Sequence, residues 1–202
     1  MAKAVFLDRD GVLNRLVWNP ATSEYESPHQ ARDLELFPWT IESLLRLQHL
    51  GYLLFLISNQ PSYAKGKTSM ENIKAIHEAL HRTLDSSGVV FADYFYCYHH
   101  PNGIVPELTG TCLCRKPGTL FLSSAAERFG FSCDDSWLIG DQDSDIQCGL
   151  SFGLRTIQIN EPHSHKKRGR GKPEFTANNL QDASLIIQGI VAENAKGGRG
   201  IN

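Results

Sequence analysis

Phe6-Leu7-Asp8-Arg9-Asp10-Gly11-Val12-Leu13-Asn14 is an apolar run that ends in two acids and a glycine turn. Ala4 to Leu7 is short, apolar and contains β-branched and aromatic side chains, the composition of a buried strand. Asp8 and Asp10, two residues apart on extended backbone, lean to the same side. Carboxylates held that close repel unless a cation or a proton sits between them. A magnesium site is built in this way, one or two carboxylates holding the ion and phosphate oxygens completing its shell.

Outward from this strand, helix and strand patterns alternate. Trp39 to Leu50 reads as a helix with Ile41, Leu44, Leu45, Leu47 and Leu50 largely on one face and Gly51 as its stop. Tyr52 to Ile57 is a continuous apolar run, as in a parallel strand covered on both faces, and it ends in Ser58-Asn59-Gln60-Pro61. Ser69 to Leu84 is a second amphipathic helix, and a strand lies within Val89 to Tyr98. Helices follow over Leu120–Phe129 and about Asp145–Phe152, with strands at Trp137–Ile139, before Gly140-Asp141, and at Leu154–Ile159. Asp182 to Ala192 reads as a closing helix. This alternation predicts an α/β, Rossmann-like parallel sheet with helices on both faces. A single domain over residues 1–195 is expected, with 196–202 as a frayed tail. Two connections stand out. Leu16 to Asp33 is polar and irregular, and long enough to border a pocket. His163 to Lys172 is basic and reads as a mobile surface loop.

The 202 residues carry a formal net charge of −2 and are 41% hydrophobic, which fits one domain with a sizeable core and gives no global pull toward nucleic acid or membrane. No apolar run approaches the length of a membrane span. Met1-Ala2-Lys3 runs directly into the first strand, so no leader peptide is expected. The five cysteines are an odd number and three cluster with a histidine, which suits a metal site in a cytoplasmic protein better than a disulfide framework. Cys133 and Cys148 lie outside that cluster and read as core thiols.

Ligands of open α/β sheets bind beyond the carboxyl ends of the strands. Asp8, Asp10, Ser58, Asn59 and Asp141 all fall there, and Arg115 and Lys116 are expected to open a helix where backbone N–H groups also favour anions. Three carboxylates suffice for one hard cation, and Ser58, Asn59 and Lys116 supply donors for an anion, the combination phosphoryl transfer requires. Cys97-Tyr98-His99 and Cys112-Leu113-Cys114 are separated by the twelve residues His100 to Thr111. Three thiols and an imidazole suit tetrahedral zinc, and four protein ligands leave no open position for a catalytic water. The loop, about 97–114, is therefore expected to be folded by a structural metal, with His99 as the imidazole and His100 as its competitor.

F-L-D-R-D-G-V-L-N, S-N-Q, C-R-K-P and I-G-D-Q-D-S-D resemble the four ordered motifs of the haloacid dehalogenase (HAD) superfamily of phosphatases, over about residues 3 to 160. The resemblance implies that Asp8 attacks phosphorus to form an aspartyl-phosphate, and that Asp10 protonates the leaving oxygen and then activates water. It implies magnesium on Asp8, the backbone carbonyl of Asp10 and Asp141, with Asp145 in the outer shell and Asp143 merely solvated. Ser58 and Lys116 would bind the transferring phosphoryl group and Asn59 would support them. The C-x-H and C-x-C pairs resemble the zinc loop of D-glycero-D-manno-heptose 1,7-bisphosphate 7-phosphatases, of which histidinol-phosphate phosphatases typically carry a much shorter form. Arg115 is then the expected specificity residue, gripping a second phosphate, with Gln60 and Leu16 to Asn19 lining the sugar site. The short connections leave no room for a large cap domain, so an open cleft is expected, one that suits the small sugar phosphate the resemblance implies. Ser62, Thr119 and Trp39 stand where the family commonly has glycine, proline and glycine, and Gln142 where some heptose phosphatases carry lysine. The implied function is a magnesium-dependent, cytoplasmic, monomeric phosphatase of heptose bisphosphate. The alternatives are histidinol phosphate or another small phosphate as substrate, or a non-catalytic zinc-stabilised module with Lys166 to Lys172 on nucleic acid.

Overall fold

The computed structural model describes residues 1–197. Strand β1 (Lys3–Leu7) is the organising element, pairing in parallel with β4 (Tyr52–Asn59) on one side and β6 (Trp137–Gly140) on the other. With β5 (Phe91–Cys97), β7 (Arg155–Ile159) and β8 (Phe175–Ala177) they form one six-stranded parallel sheet in the order β5-β4-β1-β6-β7-β8. Alternate residues of β1 serve opposite faces. Val5 and Leu7 enter one core, with Leu44 and Leu47 of α1 (Thr40–His49), Leu80 and Leu84 of α2 (Met70–Ser86) and Ile187 of α5 (Leu180–Gly197). Ala4 and Phe6 enter the other, with Leu122 and Ala125 of α3 (Leu120–Phe129) and Cys148 of α4 (Asp143–Phe152). Helices thus cover both faces, as expected. Chain order reverses about β1, so the crevice at its carboxyl end is the place for a ligand.

Four features differ from the sequence reading. The stretch after β1 is not irregular throughout: β2 (Val17–Asn19) and β3 (Glu24–Glu26) pair as an antiparallel hairpin, with Trp18 facing Tyr25 edge-on. Arg115 and Lys116 do not open a helix but lie in the turn before α3, which begins at Leu120. The basic segment is not a free loop, since Pro162–Lys167 forms a short 3-10 turn whose Ser164 is completely buried. The closing helix begins at Leu180 and runs through Lys196 to Gly197, so the expected frayed tail is helical there, while 198–202 lie outside the described residues. The hairpin is the largest insertion between β1 and α1, and no cap domain interrupts the described residues. No helix among them is long and apolar enough to cross a membrane.

Candidate active site

Asp8 and Asp10 leave β1 where the sheet ends, and the Asp8 N–H is still held by the Ile139 carbonyl of β6 at 3.0 Å. Ser58, the penultimate residue of β4, donates its hydroxyl to Asp8 Oδ1 at 2.8 Å. Lys116 Nζ lies 2.9 Å from the same oxygen and 2.6 Å from Asp145 Oδ1, and donates to the Ile57 carbonyl at 2.7 Å. Its three protons are therefore spoken for, and its ammonium is held charged against the cost of burial by Asp145 and Asp8. Asn59 brackets the Lys116 main chain, accepting from its N–H at 3.0 Å and donating to its carbonyl at 3.2 Å. It thereby fixes where the ammonium starts from, and it also borders the cleft.

Asp10 turns away from this cluster. Arg9 reaches it through Nε, 3.0 Å from Oδ1, and Nη2, 3.0 Å from Oδ2. Asn14 Nδ2 is 2.9 Å from Oδ1 and Gln60 Nε2 is 2.7 Å from Oδ2. Burial pushes the Asp10 carboxyl up, but Arg9 with bonds from Asn14, Gln60 and Ser27 outweighs it and holds the group below the usual carboxylate range. Gln60 corrects the sequence reading: it is buried beneath Asp10, accepting from Arg9 at 2.8 Å and donating to Ser58 Oγ at 3.0 Å, and is not among the cleft-lining residues. Arg9 was not singled out from the sequence, although it is 0% exposed and ties Asp10 to Gln60.

Asp8, Asp141 and Asp145 bring carboxylate oxygens within 4.8 Å of one another. Burial and the Asp8 and Asp145 charges push the Asp141 carboxyl well up, and burial and Asp8 raise Asp145 to about 6 although Lys116 opposes the shift. Three acids face one ammonium here, and Asp141 Oδ1 is buried without a hydrogen-bond partner. A hard divalent cation fits this donor set and supplies the missing charge. Asp145 is closer to the cluster than an outer position implies, yet its two oxygens serve Lys116 and, at 3.0 Å, the Gln142 N–H. Asp143 is not simply solvated: its Oδ1 accepts from the Gly171 N–H at 2.7 Å.

Cys97, His99, Cys112 and Cys114 form the second cluster. Their sulfurs lie 3.3–3.6 Å apart, too far for a disulfide and close to the edge of a thiolate tetrahedron, about 3.8 Å for Zn–S bonds of about 2.3 Å. His99 Nδ1 is 3.5 Å from Cys114 Sγ, whereas His100 Nδ1 accepts from the Asn102 N–H, which selects His99 of the two histidines. Of the remaining thiols, Cys148 is buried and Cys133 packs against the same core. Arg115, next to Cys114, donates to the His99 carbonyl at 3.2 Å and faces the cleft.

The cleft holds about 290 Å³, and Lys65, Lys67, Arg115 and Lys167 line it beyond the acids. Burial, with Lys67, Arg115 and Lys167 nearby, holds the Lys65 ammonium below its ordinary value. Leu16 lines this cleft, while Val17, Trp18 and Asn19 face a neighbouring one, so only the first residue of that segment meets the expectation. The unusual residues are absorbed locally. Ser62 and Gln142 border the cleft, Gln142 also capping α4, while Trp39 stacks on Phe37 and Thr119 precedes α3.

A parallel sheet that brings Asp8, Ser58, Lys116 and a carboxylate cluster to one crevice has the arrangement of charge that phosphoryl transfer uses, on a HAD-like fold. The pattern of the HAD-hydrolase-like family matches residues 113–183. The D-glycero-alpha-D-manno-heptose-1,7-bisphosphate 7-phosphatase of Photorhabdus laumondii is 35% identical over 187 residues, 92% of this chain and 97% of that protein. The beta-anomer 7-phosphatase of Vibrio cholerae is 32% identical, covering 77% of this chain and 80% of its own. Among solved structures, the D,D-heptose 1,7-bisphosphate phosphatase of B. bronchiseptica, complexed with magnesium and phosphate, shares the fold with a TM-score of 0.75 at 22% identity, over 93% of this chain and 99% of that one. The chain belongs to the heptose-bisphosphate 7-phosphatase family of the HAD superfamily.

Proposed function

We propose that this chain hydrolyses the 7-phosphate ester of D-glycero-D-manno-heptose 1,7-bisphosphate through a phosphorylated Asp8. The observation that carries the reading is the Asp8 carboxylate, held through Oδ1 by both Ser58 and Lys116, with Asp10 fixed two residues on. Fixed by one oxygen, Asp8 presents the other to phosphorus. As the Asp8–phosphorus bond forms, the phosphorus–sugar oxygen bond breaks; Asp10, ionised while Arg9, Asn14 and Gln60 hold it, must first take a proton from water in the open cleft, which it then gives to the leaving oxygen. Asp10 then takes a proton from water as it attacks phosphorus, and Asp8 is released with inorganic phosphate. Ser58 and Lys116 both donate to Asp8, so each would turn a proton from its carboxylate to the transferring oxygens once phosphate is bound. Asp8 and Asp141, with the main-chain carbonyl of Asp10 and with Asp145 beside them, would hold magnesium, which supplies positive charge against the phosphoryl oxygens. Cys97, His99, Cys112 and Cys114 would hold a structural zinc that fixes the turn carrying Arg115 and Lys116.

Lys65, Arg115 and Lys167, around a cleft otherwise rich in acids, support a second phosphate on the substrate. That favours a bisphosphate over histidinol phosphate. Lys167 belongs to the cleft wall, so the basic segment is better accounted for there than as a nucleic-acid contact. Three of the cysteines gather with His99 as metal ligands and not as a disulfide framework, which supports a cytoplasmic site. Phosphate release with magnesium from both heptose 1,7-bisphosphate anomers, histidinol phosphate and simple sugar monophosphates tests the proposal. Preference for one heptose bisphosphate is expected. Equal, slow turnover of the whole panel would remove the heptose assignment while keeping the chemistry.

A further inference from the structure

The segment from Glu161 to Gly171 is a strap laid across the acidic end of β6 and the start of α4. Three attachments hold it. Ser164 donates its hydroxyl to Asp141 Oδ2, Gly171 donates its N–H to Asp143 Oδ1, and His163 stacks on Tyr25 of the hairpin with ring centroids 3.5 Å apart. Within the strap, Glu161 accepts from the His163 N–H at 3.1 Å, its carbonyl accepts from the Ser164 N–H at 3.1 Å, and Arg168 donates to the same carbonyl at 2.7 Å. Ser164 is 0% exposed, so its hydroxyl faces no water and its bond to Asp141 is not in competition with solvent.

Asp141 Oδ2 is confined from a second side. Gly11 has φ +83°, and a Cβ there would lie 2.6 Å from that oxygen. Only the bare glycine lets the turn after Asp10 close over Asp141. With Oδ2 held between Gly11 and Ser164, Oδ1 is left buried and without a hydrogen-bond partner, on a residue that clusters with Asp8 and Asp145. We propose that Ser164 is a positioning residue that sets the rotation of the Asp141 carboxylate, so that Oδ1 is presented to the divalent cation and Oδ2 is not. The inference rests on the magnesium phosphatase reading given above. It places the determinant of metal geometry in a basic stretch that carries no motif.

The test is magnesium titration by calorimetry, alongside phosphate release and the thermal midpoint without metal, for the wild type, Ser164→Ala and Ser164→Thr. Partners that orient a metal ligand typically set affinity or activity by about 10- to 100-fold. Ser164→Ala should weaken magnesium binding by about tenfold or more, and Ser164→Thr, which restores the hydroxyl, should recover most of the loss. Magnesium affinity unchanged in Ser164→Ala, with an active wild type, overturns the positioning role. Equal loss in both variants also overturns it, because packing and not the hydroxyl would then be responsible. A wild type that binds no magnesium and releases no phosphate would instead sink the phosphatase reading itself.

Discussion

At the level of single residues, the legible part of the site was what the chain places at strand ends. Asp8, Ser58 and Asp141 follow apolar runs, and parallel strands carry such residues to one edge. Lys116 was legible as an anion donor but was placed at the start of a helix, because the turn that carries it has no periodic pattern. Arg9 was passed over, and Gln60 was assigned to the sugar site, for a common reason. An arginine between two aspartates looks solvated, and its burial depends on a glutamine 51 positions away that closes the bidentate pair with Asp10. Two predictions separate these roles. Asp8→Asn should abolish turnover, by about 10³-fold or more, with an unchanged circular dichroism spectrum; near-normal phosphate release would rule out the nucleophile. Gln60→Leu should lower kcat by about tenfold while leaving KM within about twofold, because Gln60 touches Asp10 and Ser58 and not the cleft. A rise in KM alone would return Gln60 to substrate binding.

At the level of elements, the longer helices and strands were readable from apolar period, and the short pieces were not. β2, β3 and β8 have three residues each, too few for alternation to rise above loop composition. The strap was hidden by its charges, since what anchors it is one serine hydroxyl, a glycine N–H and the stack of His163 on Tyr25. Cysteine spacing, by contrast, stood out without any secondary structure. The loop between His99 and Pro117 has Ile104 and Leu113 exposed and one short 3-10 turn, so little apolar burial holds it. Backbone bonds such as His100 N–H to the Leu108 carbonyl and Ile104 N–H to the Ala64 carbonyl shape it, and a metal on the four ligands would add the order that apolar burial does not. Cys112→Ser should reduce bound zinc per chain, lower the thermal midpoint and lower kcat/KM, since Arg115 and Lys116 follow directly after Cys114. Full zinc content with an unchanged midpoint would count against the site.

Across the whole molecule, the two cores and the cleft were implied by the β-α alternation, but the balance of buried charge was not, because it depends on which helix covers which strand. His77 of α2 illustrates this. It packs flat on Tyr96 of β5, with ring centroids 3.6 Å apart, while Tyr98 lies 3.4 Å from its Nδ1. Burial, with Arg9 and His81 nearby, depresses its pKa from 6.5 to about 3. The unfolded chain therefore binds this proton more readily than the folded one, so the contribution to stability is complete above pH 6.5 and erodes as pH falls toward 3. By pH 5 the loss is about 2 kcal/mol, or about 4–8 °C in the midpoint of a domain this size. Asp141 and Asp145, whose carboxyls are raised by burial, act in the opposite direction over the same range, so a single melting curve would blur the effect. Comparison with His77→Phe removes that interference, because both proteins share the acids and the stack on Tyr96. Urea unfolding at pH 7.5 and pH 5.0 should show the wild type losing about 2 kcal/mol more than the variant between the two conditions. Parallel losses would mean that His77 is protonated in the folded protein, and its packing against Tyr96 would then have to accommodate a charge.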